Sequence, residues 1–516
     1  MTTASTVTNT LTVVAQARTN AHKLGLGITL TIAALSVFLL VENLWLALNW
    51  SSSPFFGATY TPTMVVAAGE PSGDEDWTGL AAGLQRGDRL LGVRYCPTEG
   101  ECVQTGACVQ GACDVADWSA DPSNYGAAKN LLETFLSVRA VGDPIEVLFS
   151  RPANAPIDNP GAVCNPDPNA ENMLLCSTRY ALQRFPNRDF LAFFVVPYVT
   201  ALFVVIMGMI ILRLRYKQPI ALLTVCTFML LAVAIAGIND NGFTHRFAGL
   251  WLMAIPLAAS GLATLAMVFP TQMVILYQHP RVVYVPVTIG ALLAAIFVYL
   301  YYFPIDAYNA GLAAQSAALT MLLSMALFAH SAYRQRRSAP TSMIRDQSNA
   351  IWVGFVMMVA PAALWVATRA IQALLPDTYL ELPFGVETAM PFVLAPILSI
   401  TYAVLQYRKL DTDKLISQGI AYGIMLVALI LGFFMLVLGV SLLTNTIMNP
   451  TDPLLVAVII FVVSVLFLPV RNYLQNRIDE IYFRTRRNYQ EQLETFGQKL
   501  TQLVDLPRIN NEFRSL

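Results

Sequence analysis

Charge is scarce in this chain. Only 13% of its 516 residues are Asp, Glu, Lys or Arg, while 56% are hydrophobic. Soluble globular domains are about a quarter charged, so the deficit excludes an ordinary soluble globule. Histidine is scarcer still. His22, His245, His279 and His330 are the only four, and none stands beside a carboxylate in the way of a phosphoacceptor motif. There is no HExxH, which argues against a metal-dependent intramembrane protease, and no GxSxG elbow. No Gly-rich nucleotide loop follows a strand, so the visible chain carries no catalytic motif, no metal site and no implied cofactor. Acidic residues are rare deep in the apolar runs, where transporters and pumps usually need charge. A basic run with aromatics occurs only after Val470, and anionic lipid headgroups explain it better than nucleic acid does.

What the chain has in abundance is long apolar segments. Ten are long enough to cross a bilayer, which takes roughly 20 residues each. They lie near 24–47, 190–213, 219–238, 248–269, 283–303, 310–332, 349–373, 387–407, 418–443 and 453–470. No small-residue cleavage site follows the first; Glu42, Asn43 and Trp45 follow its apolar core, as in a retained anchor. Basic residues fill alternate short loops: Arg213, Arg215 and Lys217; Arg281; Arg334, Arg336, Arg337 and Arg345; Arg408, Lys409 and Lys414. Arg18 and Lys23 precede the first span, and Arg246 is the main exception in the opposite loops. By the excess of Lys and Arg on cytoplasmic loops, both termini are expected inside and residues 48–189 outside. Arg369 and Glu387 are read as interfacial side chains or as a pair. Asp240, His245 and Arg246 are expected to be solvated in an outward loop, and Ser260-Gly261 to serve close helix packing.

Cysteine usage agrees with that orientation. Six of seven cysteines (Cys96, Cys102, Cys108, Cys113, Cys164 and Cys176) fall in the insert, and only Cys226 lies in a span. An even set in such a domain reads as disulfides, with Cys164–Cys176 as a local pair and two bridges within 96–113. A zinc site is the rival, but spacings of six, six and five lack the CxxC knuckle. Within the insert, residues 63–68 read as a strand and Tyr125–Val138 as a helix with Ala128, Leu131, Leu132, Phe135 and Val138 on its apolar face. After Gly142-Asp143-Pro144, Ile145, Val147 and Phe149 alternate along a strand.

The run Gly83-Leu84-Gln85-Arg86-Gly87-Asp88-Arg89-Leu90-Leu91-Gly92-Val93, followed by that helix, turn and strand, resembles the core of PDZ domains. The likeness covers about 55–151 and is interrupted by the cysteine-rich stretch near 95–122. It implies a peptide-binding groove between the loop Phe55-Phe56-Gly57-Ala58-Thr59-Tyr60 and the 125–138 helix, taking an extracytoplasmic peptide or protein. The alternative is that Phe55 and Phe56 anchor the domain at the membrane interface.

Two further segments carry a second resemblance. Tyr407-Arg408-Lys409-Leu410-Asp411-Thr412-Asp413 and Arg477-Ile478-Asp479-Glu480-Ile481-Tyr482-Phe483-Arg484 resemble the multi-span input regions of bacterial sensor histidine kinases and of related phosphatases. One anchor, a PDZ-like insert and a multi-span module follow the order of parts in the ComP-like sensor kinases. Tyr489, Leu493, Phe496, Leu500 and Leu503 are spaced four, three, four, three, the rhythm of a coiled-coil seam. Asp505-Leu506-Pro507 looks like the start of a further domain.

The expected fold is a polytopic α-helical membrane protein with an α+β PDZ-like domain and a C-terminal cytoplasmic coiled coil. Its parts are 1–23 cytoplasmic, 24–47 anchor, 48–189 insert, 190–470 a nine-span bundle, 471–504 coiled coil and 505–516 a domain start. The expected function is the input module of a homodimeric sensor that reaches a response regulator through a kinase domain. A transporter or channel with a recruitment domain is the alternative, and an envelope scaffold a third.

Overall fold

The computed structural model describes the backbone of residues 2–374 and 390–405, apart from residue 52 and residues 68–70, 72–75, 98–101, 104–113, 120–123, 155–160, 169–171 and 304–308. Side chains are described from residue 22 onward, other than 309–311 and 362–374. The expected spans at 418–443 and 453–470, the seam from Tyr489 to Leu503, Cys108, Cys113, Arg369 and Glu387 all lie outside the described side chains.

Helix α1 (Thr2–Trp50) leads into the insert domain. There, β1 (Pro54–Phe55), the one-turn helix α2 (Thr78–Ala81), β2 (Arg89–Tyr95), β3 (Val115–Asp117), α3 (Tyr125–Ser137) and β4 (Pro144–Pro152) follow in order. β5 (Val163–Pro166), β6 (Met173–Ala181) and β7 (Gln183–Arg184) complete it. Five strands form one antiparallel sheet in the order β3-β2-β4-β6-β5, while β7 returns to pair with β1. The alternation expected at 145–149 is observed, with Ile145, Val147 and Phe149 fully buried against Leu90, Val93, Leu132 and Phe135. Asn124 caps α3 by accepting the Ala127 N–H through its side chain at 3.3 Å. Val138, expected on the apolar face, is instead 44% exposed just beyond the helix end. The strand expected at 63–68 is reduced to isolated bridges, Tyr60 with Val66 and Val65 with Arg89.

Two covalent and one ionic tie brace this domain. Cys164–Cys176 joins directly opposed residues of the β5–β6 hairpin, and Cys96–Cys102 closes the loop after β2. Both agree with disulfides in place of a zinc knuckle. Asp88 of the Gly-Asp turn accepts from Arg151 Nε at 2.7 Å and Nη2 at 2.6 Å, and also from the Gln85 N–H at 2.7 Å. That pair is almost wholly buried, and Arg151 Nη2 also donates to the Gly83 carbonyl at 2.7 Å. A charge pair so enclosed holds the turn against β4 only because its hydrogen-bonding capacity is met.

After α4 (Asn187–Phe190) a π-turn, Leu191–Val195, passes directly into α5 (Val196–Arg215). The bundle continues with α6 (Pro219–Ala236), α7 (Ala248–Val268), the short α8 (Val274–Gln278), α9 (Val285–Tyr302), α10 (Asn309–Ser338), α11 (Ser342–Leu374) and α12 (Leu394–Leu405). Six helices among the described residues are long and apolar enough to cross a membrane: His22–Trp50, Asn187–Arg215, Pro219–Ala236, Ala248–Val268, Pro280–Tyr302 and Leu312–Ser338. They coincide with the first six expected segments. The expected seventh and eighth fall on α11 and α12, which are described only in part.

α6 and α7 are mostly enclosed, whereas α1, α9 and α10 turn large apolar faces outward. Small residues allow the close crossings: a Cβ on Gly290 would lie 2.5 Å from Ser260 Cβ, and one on Gly261 would overlap Thr227. The sparse polar side chains bridge helices or their backbones. Ser331 donates to the Ala266 carbonyl at 2.8 Å, Gln347 to that of Ala403 at 2.9 Å and Arg215 to that of Leu405 at 2.7 Å.

Candidate functional site

The chemistry of this molecule concentrates where the insert domain meets the bundle. Trp50 ends α1, Phe55 begins the insert, Phe185 closes it, Phe193 lies on the first π-turn, and Trp77 precedes α2. Phe243 comes from a second π-turn, Asp240–Thr244, between α6 and α7. These six rings form one cluster, with Trp50 4.7 Å from both Phe185 and Phe243, Phe55 5.3 Å from Trp77 and Phe185 4.9 Å from Phe243. Edge-to-face pairs of this kind contribute about 0.5–1.5 kcal/mol each beyond their buried area. The fully buried Trp77 donates its Nε1–H to buried Asp189 at 2.7 Å. π-turns add a residue to the helical ladder and re-aim the side chains they carry, which is why they recur at functional sites.

The expected solvation of the α6–α7 loop holds for Arg246, which is exposed, but is overturned for Asp240 and His245, which are 1% and 6% exposed. Asp240 accepts from the Thr244 hydroxyl, from the Arg246 N–H at 2.8 Å and from the Phe247 N–H at 2.7 Å, so it caps the entry to α7. His245 takes a left-handed backbone, φ +51°. Its carbonyl accepts from Lys129 Nζ of α3 at 3.1 Å, and its ring packs edge-on to Tyr60 at 5.2 Å. Neither imidazole nitrogen makes a hydrogen bond of good geometry. Burial pushes the imidazole down to about 3, the Lys129 ammonium adds to this, and the Tyr60 main chain opposes it weakly. Burial, and then the charge of Glu133, also push the Tyr60 hydroxyl far above the ordinary phenol range.

The six loop residues expected to bind a peptide are all buried. Phe55 belongs to the aromatic cluster, while Phe56, Ala58 and Tyr60 belong to the core of the insert domain. Thr59 is 5% exposed, and Gly57 has φ +83° with the Gly79 backbone where a Cβ would stand. Neither phenylalanine reaches out as an interface anchor. The face between this loop and α3 is bordered by the α6–α7 loop through the Lys129 and Tyr60 contacts with His245.

Beneath Tyr60 the junction forms a partly open cavity of about 200 Å³. Tyr60, Pro62 and Ala67 line it from the insert, Phe193 and Phe243 from the two π-turns, and Leu252, Tyr301 and Ala314 from α7, α9 and α10. Sequence reasoning missed this site, since its lining is spread from residue 59 to residue 314 with no local motif. Among the described residues no cluster of His, Cys, Asp and Glu could hold a metal ion. Compared with protein-family models, curated proteins and solved structures, this chain matches none.

Proposed function

We propose that this chain is the input module of a membrane signalling receptor, in which the insert domain senses and the bundle transmits. The observation that carries the reading is the aromatic cluster. It joins the end of the first span, both ends of the insert, the start of the second span and the α6–α7 turn in one packed unit. A tilt of the domain cannot be absorbed locally by such a joint and is passed to at least three helices. Closely packed interfaces respond to small shifts by repacking, not by continuous deformation.

The finer reading follows the sequence resemblances. The insert is PDZ-like and extracytoplasmic, ten spans cross the bacterial plasma membrane, and both termini are cytoplasmic. The chain works as a homodimer through the seam Tyr489, Leu493, Phe496, Leu500 and Leu503, with output to a response regulator through a histidine kinase domain. Its signal is an extracytoplasmic peptide or protein, and its basic cytoplasmic run contacts anionic lipid.

Disulfide crosslinking in membranes tests this directly. Chains carrying Leu493→Cys or Leu500→Cys are expected to crosslink as dimers, and Phe243→Ala, which opens the joint, is expected to change the yield. Absence of any dimer crosslink would remove the dimeric mechanism. An unchanged yield in Phe243→Ala would remove the joint from it, and solute flux through reconstituted protein would favour a transporter instead.

A further inference from the structure

The cavity under Tyr60 has features that the relay does not use. Its volume of about 200 Å³ exceeds the ~150 Å³ at which an apolar protein cavity takes up benzene. Most of its lining is hydrocarbon: Phe193, Phe243, Leu252, Ala314, Pro62 and Ala67. Among the lining residues is Tyr301, 9% exposed, whose buried hydroxyl has no hydrogen-bond partner among the described residues. A buried hydroxyl without a partner is uncommon, because its desolvation is left uncompensated. An apolar space with few polar groups is the usual anatomy of a small-molecule site. Among the described residues no charged side chain lines the space, and the nearby Asp240 carboxylate is already taken up by three donors. An ionic ligand would therefore be stranded without a countercharge. Water could meet the hydroxyl but would leave the hydrocarbon walls in contact with it.

We propose that this cavity binds a small uncharged molecule, aromatic or compactly aliphatic and slightly larger than benzene, whose single oxygen accepts a hydrogen bond from the Tyr301 hydroxyl. The binding stands on the cavity itself. Only the consequence rests on the receptor reading: an occupant touching the insert above and α7, α9 and α10 below would bias their relative position. The two π-turns supply the walls, so their extra residues bring Phe193 and Phe243 over the ligand as well as into the aromatic joint.

The test uses the whole chain in lipid nanodiscs, with acetophenone and ethylbenzene as probes of similar size that differ in the carbonyl oxygen. Affinities are read by equilibrium dialysis against empty nanodiscs, which report partition into lipid. Acetophenone is expected to bind the protein more tightly than ethylbenzene by about fivefold, the worth of one neutral hydrogen bond. Tyr301→Phe keeps the ring and removes the hydroxyl, and is expected to erase that preference. Ala314→Phe fills the space and is expected to abolish saturable uptake of both probes. Uptake no greater than in empty nanodiscs would overturn the proposal, as would an unchanged preference in Tyr301→Phe. Normal binding together with unaltered crosslinking of Phe243→Ala would leave the site standing and remove the relay.

Discussion

Acidification should loosen the junction, and His245 sets by how much. The imidazole is held neutral inside the protein, near 3, against an ordinary value of 6.5. When the α6–α7 loop is released the ring regains the ordinary value and takes up a proton. The released state therefore binds more protons, so closure is favoured fully above 6.5 and is lost progressively as pH falls from there toward 3. Between about pH 7.5 and about pH 5 the shift amounts to ~2 kcal/mol, or about thirtyfold in the ratio of closed to released loop. Lys129 faces the imidazole from α3 and opposes its protonation, while Tyr60 and the Asp240 backbone border it without titrating in this window. Hydrogen exchange followed by mass spectrometry, on peptides spanning residues 238–250 and corrected for the intrinsic pH dependence, reads the opening equilibrium. Protection there is expected to fall about thirtyfold across that interval, while β4 at the sheet centre stays protected. His245→Asn keeps a residue that tolerates the left-handed backbone and cannot titrate. An equal loss of protection in His245→Asn, or no loss in the parent chain, would refute the reasoning.

Other perturbations reach the insert domain. Arg151→Leu leaves Asp88 charged and buried, and should cost about 3–5 kcal/mol in chemical denaturation of the reconstituted chain, far more than loss of an exposed pair. Gly57→Ala should cost at least ~1–3 kcal/mol in the same assay, because the new Cβ meets the Gly79 backbone and φ is +83°. Peptide mapping without reduction should recover Cys164 linked to Cys176 and Cys96 linked to Cys102. Replacing the first pair by serines should lower stability by at most ~3 kcal/mol, given a sequence separation of 12.

Local signals made much of this architecture legible. The apolar runs at 190–213, 219–238 and 248–269 became α5, α6 and α7 nearly to their ends, helped by Pro219 at a helix start and Gly237 at a helix end. The alternation of Ile145, Val147 and Phe149 and the Gly87-Asp88 turn were readable because each follows from neighbours within a few residues. β6 escaped notice because its central inward positions include Thr178, a polar residue that buries its hydroxyl against the Ala82 carbonyl. The aromatic joint and the cavity escaped for another reason. Trp50, Phe185 and Phe243 are far apart in sequence, and each taken alone looks like an ordinary interface residue. Burial of Asp240 and His245 could not be foreseen from a polar loop, since it depends on what the insert domain lays over them.

The pairing of β1 with β7 sets Pro54 opposite Arg184, so the insert leaves and rejoins the membrane portion at nearly one point. A domain with adjoining ends is a cassette: it can be excised, or exchanged for an unrelated fold, without separating the two helices it hangs from. The exchange has one condition written into the aromatic joint. A substitute must bring its own rings to the positions of Phe55 and Trp77, or Trp50 and Phe243 would lose the partners they pack against.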